Sequence, residues 1–179
     1  VESVDDTFEI RRRRDSDLPG CLELLTRVHE SDGYPRTWPK DITWIAPERE
    51  SAAWVCVAQS DIAGHISLQR LHDDEMSQLW CAAAGCAPSE LVAVSRLFVD
   101  PSYRHRHCGR LLMDEAVSHA NQSGLRAVLA VAPHNRAAID LYVRMGFSQV
   151  GVVDTRFASE MAPVLSFIGP APTTAKLRR

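Results

Sequence analysis

The sequence predicts a mixed α/β domain: a central sheet of six to seven strands, part of it parallel, flanked by helices. Three observations predict it. Apolar, β-branched segments alternate with segments of helical periodicity, in the order β-α-(α)-β-β-β-α-β-α-β-β. Two strand–helix–strand crossovers in the second half require some parallel pairing. One of them begins with Leu91 to Val99, a run carrying Val92, Val94, Leu97 and Val99, which reads as a largely buried strand.

From Thr7 to Arg13, Phe8 and Ile10 alternate with Glu9 and Arg11, the pattern of a first strand. Asp15 or Asp17 can cap a helix beginning near Leu18-Pro19, since proline is tolerated in a first turn. Cys21, Leu22, Leu24, Leu25 and Val28 form its apolar face, and it is expected to end near His29 or Glu30. Gly33, Pro35 and Pro39 then forbid a regular helix, and the two aromatics Tyr34 and Trp38 need burial or a ligand. Asp41 to Ile45 suits a short second helix carrying Trp44.

Ala53 to Ala58 and Ile62 to Leu71 read as a hairpin turned at Gln59-Ser60-Asp61. His65 lies on its second strand, as a structural histidine or a base. His72-Asp73-Asp74-Glu75 is read as a solvated acidic loop, or as a group that attracts a cationic amine or supplies a general base. Gln78 to Gly85, with Trp80, is a short helix or a pocket wall.

After Leu91–Val99, Asp100-Pro101-Ser102 is a turn signal. Leu111, Leu112, Ala116 and Ala120 then mark an amphipathic helix. Between turn and helix lies Arg104-His-Arg106-His107-Cys108-Gly109, a basic loop opening onto a helix N-terminus. The first helical N–H groups have no partner inside the helix, and the dipole there favours negative charge. With Gly109 for close approach and forked donors from arginine, this is the composition of a diphosphate site. Gly124 stops the helix, Arg126 to Val131 is a buried strand, and Asn135 leads into a helix ending at Gly146. Phe147 to Val153 and Glu160 to Ile168 are the last strands. Residues 170–179 read as a flexible tail after a single domain over 1–169.

Composition sets outer bounds. Hydrophobic residues make up 45% and charged residues 24% of 179, which is ordinary globular usage. A net charge of −3 lacks the basic footprint of a nucleic-acid binder, and the run Arg11 to Arg14 reads as a solvated strand end. Five cysteines without C-x-x-C spacing indicate neither a disulfide framework nor a zinc site, so no metal is expected and a reducing cytoplasm is the simplest compartment. No apolar run is long enough to span a membrane.

The stretch from Leu97 to Gly109 resembles the acetyl-CoA-binding motif of the GCN5-related N-acetyltransferases, Arg/Gln-x-x-Gly-x-Gly/Ala after a strand ending in Val-Asp-Pro. Arg104 and Gly109 match; His107 stands where the family has its middle glycine. A second stretch, Asn135 to Phe147, matches the later family motif Asn-x-x-Ala-x-x-x-Tyr-x-x-x-Gly-Phe through Asn135, Tyr142, Gly146 and Phe147. The resemblance is specific from about Val94 to Gly151. It implies a sheet whose two middle strands splay apart to admit acetyl-CoA as cosubstrate. It also implies that Arg104, Arg106, His107, Cys108, Gly109 and Arg110 cradle the diphosphate. The backbone of Leu97, Phe98 and Val99 would pair with the pantetheine arm, Asn135 would contact the cofactor, and Tyr142 would protonate the departing thiolate in a ternary complex. The family's strand glutamate has no counterpart, because Ala93 and Ser95 occupy its candidate positions; Glu90, Asp73, Asp74, Glu75 and His65 remain as bases. The acceptor is a small-molecule or peptide amine, for which Tyr34, Trp38, Asp73, Asp74 and Trp80 suggest an apolar body with positive charge. Arg96 is structural or an acceptor-carboxylate contact. A homodimer accords with the resemblance, and a non-catalytic acyl-CoA-binding or regulatory module is the alternative function.

Overall fold

A computed structural model describes residues 8–157 and 160–172. Most of the expected tail, 173–179, lies outside them, as does Thr7 of the expected first strand. The strands are β1 (Glu9–Arg12), β2 (Glu50–Ala58), β3 (Asp61–Gln69), β4 (Leu91–Val99), β5 (Arg126–Val131), β6 (Ser148–Phe157) and β7 (Glu160–Ile168). The helices are α1 (Leu18–Asp32), α2 (Ile42–Ile45), α3 (Glu75–Ala84), α4 (Cys108–Gln122) and α5 (Arg136–Arg144). The strands form one mixed sheet in the order β1-β2-β3-β4-β5-β7-β6, flanked by helices, as the sequence predicts. The chain divides into two compact units, Val1–Leu68 with Arg96–Ala116, and Gln69–Ser95 with Val117–Arg179.

In the first unit β1 pairs antiparallel with β2, from Glu9↔Val57 to Arg12↔Trp54. β3 is buried from Ala63 to Gln69, so both faces of its alternation are covered. Helix α1 buries Cys21, Leu24, Leu25 and Val28, the spacing of one helical stripe, against Ile45, Val55 and Phe98. It runs two residues past the expected stop, because the stop is Gly33 at φ 71, whose N–H reaches the His29 carbonyl at 2.8 Å. Helix α4 presents Leu112, Met113, Ala116 and Ala120 to the core and leaves Leu111 39% exposed. The 100° step places Leu111 beside that stripe, not on it as the sequence reading has it. Gly64 lets α4 approach β3. A Cβ there would stand 2.8 Å from Cys108 Sγ and 2.8 Å from Leu112 Cδ1.

The arginine run is solvated only in part: Arg12 and Arg14 are exposed, as the sequence reading has it, whereas Arg11 and Arg13 are half-buried in ion pairs. Arg11 forks Asp17 at 2.7 and 2.8 Å. Arg12 lies 4.5 Å over the Trp54 ring. Arg13 is half-buried, its side chain only 6% exposed, and ion-paired with Glu50 at 2.9 Å. Asp17 is thus spent on Arg11 and on the Arg14 N–H, and caps α1 without a side-chain bond. The Arg11 bond, helped by Arg14, holds its carboxyl down at about 2.

In the second unit β4 pairs parallel with β5 over Leu91↔Arg126, Val92↔Ala127 and Ala93↔Val128. The second crossover does not give neighbouring strands, because β7 inserts antiparallel between β5 and β6. Helix α3 packs on β6 and β7, and Gly151 makes room for it: a Cβ there would meet Leu79 Cδ2 at 2.7 Å. Among the described residues no helix is long and apolar enough to cross a membrane.

Replacing Gly64 by alanine forces Cys108 and Leu112 to move, so α4 loses its seat on β3. Overpacking of this kind costs about 1–3 kcal/mol. Urea denaturation of Gly64→Ala is expected to show that loss; a midpoint equal to the parent would mean the contact relaxes freely.

Candidate active site

The basic loop follows β4 through a buried anchor. Asp100 accepts from the Ser102 N–H at 2.9 Å, the Ser102 hydroxyl at 2.6 Å and Arg27 Nε at 2.8 Å, while its own N–H donates to the Ala63 carbonyl at 2.9 Å. Burial pushes its carboxyl up, but the Ser102 bonds and Arg27 outweigh it and hold the group below the usual range. Asp100 therefore remains an anion that ties the turn to α1 and β3 at once.

Arg104, the first motif residue, forks Asp32 near the end of α1 at 2.9 and 2.6 Å and reaches the Val99 carbonyl at 3.4 Å. Its guanidinium braces the loop against α1. Arg106 is exposed and lies 5.8 Å from the Tyr103 ring. Arg110 faces solvent with Asp114, both carboxylate oxygens 2.9 Å from its Nε. Cys108 is buried with its thiol toward Cys56; that contact and desolvation push its pKa up, so it is an inert packing residue.

His107 occupies the place of the motif glycine and keeps the glycine conformation. Its φ is 67°, in the left-handed region, and His105 is at 61°. Its carbonyl accepts the Leu111 N–H at 2.9 Å, so α4 begins on it. The loop thus delivers the chain to a helix N-terminus with Gly109 in its first turn. A β-carbon at φ > 0 costs about 1–2 kcal/mol.

Upstream on the same strand, Arg96 also leaves extended geometry, at φ 51. His65 holds it there. The imidazole is fully buried and stacks 4.9 Å from Phe98. Nδ1 lies 2.9 Å from the Arg96 carbonyl and Nε2 lies 3.0 Å from Arg13 Nη1. A carbonyl only accepts and a guanidinium only donates, so Nδ1 carries the proton and Nε2 accepts. Burial, with Arg13 and Arg96 nearby, pulls the pKa down to about 3. His65 is neutral and fully engaged, which removes it as a base.

Leu97 and Val99 are half-buried and Phe98 is core, in contact with the α1 cluster. Tyr34 is packed 6.1 Å from the Trp44 ring and 6.4 Å from the Phe98 ring; desolvation pushes its phenol up to about 12. Trp38 stacks on His29 at 4.5 Å.

The remaining sequence-predicted residues belong to the second unit. Tyr142 is buried on α5, 6.1 Å from the Phe147 ring and 6.4 Å from the Phe167 ring. Asn135 caps that helix, its side chain accepting from the Ala138 N–H at 3.3 Å. Asp74 is the N-cap of α3 and accepts from the Ser77 N–H at 2.8 Å; His72 to Glu75 are exposed, so the stretch is the solvated loop that the sequence reading gives, with its end starting a helix. Asp73 is exposed beside it. Trp80 is a core residue with Leu91, Val128 and Ile168, its indole N–H buried without a hydrogen-bond partner. Sequence reasoning missed Asp32 and Asp100 as loop anchors, and Gly64, whose place inside a strand pattern was itself the signal for a close approach. Among the described residues no cluster suits a metal ion.

A family model described as "Acetyltransferase (GNAT) family" matches residues 18–147. The chain is 27% identical over 153 residues to an N-acetyltransferase of Methanocaldococcus jannaschii described as uncharacterized, with 82% of this chain and 63% of that protein covered. The chain thus spans about 63% of that relative's length. The crystal structure of the ribosomal-protein-S18-alanine N-acetyltransferase from Escherichia coli superposes with a TM-score of 0.69 at 16% identity, covering 97% of this chain and 99% of that one. Arabidopsis thaliana NAA60 in complex with acetyl-CoA gives 0.69 at 22% identity, covering 90% and 97%.

Two outcomes test the site geometry. His107→Gly relieves the left-handed strain and is expected to raise stability by up to about 1 kcal/mol in urea, after the entropy glycine adds to the unfolded chain. A lower midpoint would show that the imidazole contributes contacts that outweigh the strain. For His65, the folded protein takes up the proton only near pH 3, whereas the unfolded chain does so near the ordinary value of 6.5. The neutral imidazole therefore contributes stability in full above 6.5, and the contribution is lost as pH falls from 6.5 toward 3. His65→Gln should flatten the pH dependence of unfolding in that window, and an unchanged slope would contradict the buried, neutral state.

Proposed function

Because the chain belongs to the GNAT acetyltransferase family, we propose that it moves an acetyl group from acetyl-CoA to a primary amine of a small molecule or peptide. The observation that supports this best is the left-handed φ of 67° at His107. That left-handed conformation is one glycine adopts most readily, so the backbone at this position suits the motif's glycine even though a histidine occupies it. The residues present suit a diphosphate: a helix N-terminus beginning at Cys108, Gly109 within its first turn, and Arg106 exposed on the loop. Arg104 supports the reading as a brace, since its fork is engaged by Asp32.

Bound acetyl-CoA would supply the activated thioester. The backbone of Leu97, Phe98 and Val99 would align the pantetheine arm as an added strand. Asn135 would contact the cofactor beside its capping role, and Tyr142 would give its phenolic proton to the departing thiolate as the amine attacks directly. Residues 1–169 would act as one catalytic domain. NAA60, of the same fold, is described in complex with acetyl-CoA and with a bisubstrate analogue, which favours a ternary complex here. No metal enters the scheme.

Tyr142→Phe separates catalysis from mere binding. Turnover, read as thiol release, is expected to fall by about 10²-fold or more, the usual worth of a general acid. Acetyl-CoA affinity by calorimetry should change little. Undiminished turnover would remove Tyr142 from the chemistry. Tight acetyl-CoA binding by the parent protein with no transfer to any amine would favour the acyl-CoA-binding module.

A further inference from the structure

The five cysteines divide by place. Cys21, Cys56 and Cys108 lie in the first unit and are at most 1% exposed. Cys81 and Cys86 lie in the second unit, half-buried, where α3 ends. The acetyl-transfer scheme uses neither of the second pair.

How α3 stops decides how these two stand to one another. Gly85, at φ 65, turns the chain out of the helix through the left-handed region. The Cys81 carbonyl then accepts two N–H groups, from Gly85 at 2.9 Å and from Cys86 at 3.3 Å. In a helix stop closed by the longer of these bonds, the side chains at its two ends commonly meet. Here both ends are cysteines. Bond lengths alone hold their Cα atoms within about 7 Å, and the angles at nitrogen and oxygen bring them closer. A disulfide spans about 4.4–6.8 Å between Cα atoms. Both side chains also pack on the cluster of Trp80, Leu91, Val128 and Ile168, so they face one side of the chain. Charge on Cys81 acts on Cys86 as well: after desolvation and Glu90, it pushes the Cys86 thiol up, against Arg126.

The pair is reachable from solvent. Ala82-Ala83-Ala84-Gly85 joins the two cysteines and Ala87 follows, so the segment itself has no long side chain to shield a sulfur. A Cβ at Gly85 would meet nothing within 4 Å among the described residues.

We propose that Cys81 and Cys86 form a reversible redox dithiol, a site of oxidative modification whose co-reactant is a small disulfide of the glutathione class. The step is thiol–disulfide exchange. One protein thiolate attacks a sulfur of the oxidised co-reactant, breaks its S–S bond and expels one thiolate. The other protein thiolate attacks the mixed disulfide, forms the Cys81–Cys86 bond and expels the second. The two cysteines lose two electrons and two protons, and the co-reactant's two sulfurs become thiols. Cys86, with its thiol pushed up, suits the second step, where proximity offsets a small thiolate fraction. The closed bond staples the end of α3 to the connection that leads into β4.

The test equilibrates the full native chain in stepped ratios of oxidised to reduced glutathione. After acid quench and denaturation, remaining thiols are alkylated and tryptic peptides are weighed. Cys81 and Cys86 lie on one peptide between Arg70 and Arg96, so their bond shows as a loss of two hydrogens. The pair should lose alkylation together and regain it in dithiothreitol, while Cys21, Cys56 and Cys108 stay alkylated. The native chain should reach half-oxidation at a glutathione ratio about tenfold or more lower than the chain in urea, because the helix stop pre-sets the pair. Cys81→Ser and Cys86→Ser should each replace the bond by a glutathione adduct on the remaining cysteine. Oxidation no easier in the native chain than in urea would overturn the proposal. So would separate adducts on both cysteines, or a bond from either to a core cysteine. These readings are made on the parent chain, so misfolding of a serine variant does not rescue it.

Discussion

The imidazole of His65 joins the Arg13 guanidinium to the Arg96 carbonyl, and β4 can change course at Arg96 only while that join holds. A non-glycine residue at φ 51 inside a strand is strained by about 1–2 kcal/mol and persists only where its surroundings over-determine it. Here they do. Glu50 fixes Arg13, Arg13 donates to Nε2, the imidazole has one remaining tautomer, and that tautomer must donate to Arg96. The chain of bonds runs from a β2 carboxylate through Arg13, just past the end of β1, and through β3 to the backbone of β4. His65 is fully buried and Glu50, Arg13 and Arg96 are half-buried around it, so the low dielectric that strengthens the bonds at the imidazole also makes them costly to lose. The run of four arginines looks like a solvated patch until Arg13 is seen at the head of this chain.

The basic loop is organised by the same logic on a second anion. Asp100 is buried enough to be expensive and is retained because Ser102, Arg27 and the Ala63 carbonyl fix it from three directions. Arg104 then spends its fork on Asp32. A loop carrying Arg104 and Arg106, with Arg110 just beyond it, would otherwise repel itself. Tying its first arginine to α1 leaves positive charge at the far end, where the helix N-terminus adds to it. The left-handed turn at His107 is what connects the two halves. A histidine can hold that turn because the bonds at Asp100 and Arg104 on one side and the start of α4 on the other leave the backbone little choice.

The strands and the two motif-bearing loops were legible because their signals are local: β-branched apolar runs, Asp-Pro turns, a glycine after a helix. β4 and β5 begin and end where the pattern places them. The exposure of the acidic stretch was legible from its charge, but the bond by which Asp74 caps a helix was not, because its partner N–H belongs to Ser77, in a segment that reads as a helix or a pocket wall alike. Trp80 reads as a pocket residue for a related reason. An indole with neighbours of mixed polarity reveals its burial only once β5 and β7 are placed beside it. The roles of His65, Arg13 and Arg96 depend on pairings between residues separated by 31 and 52 positions, which no window on the chain can display.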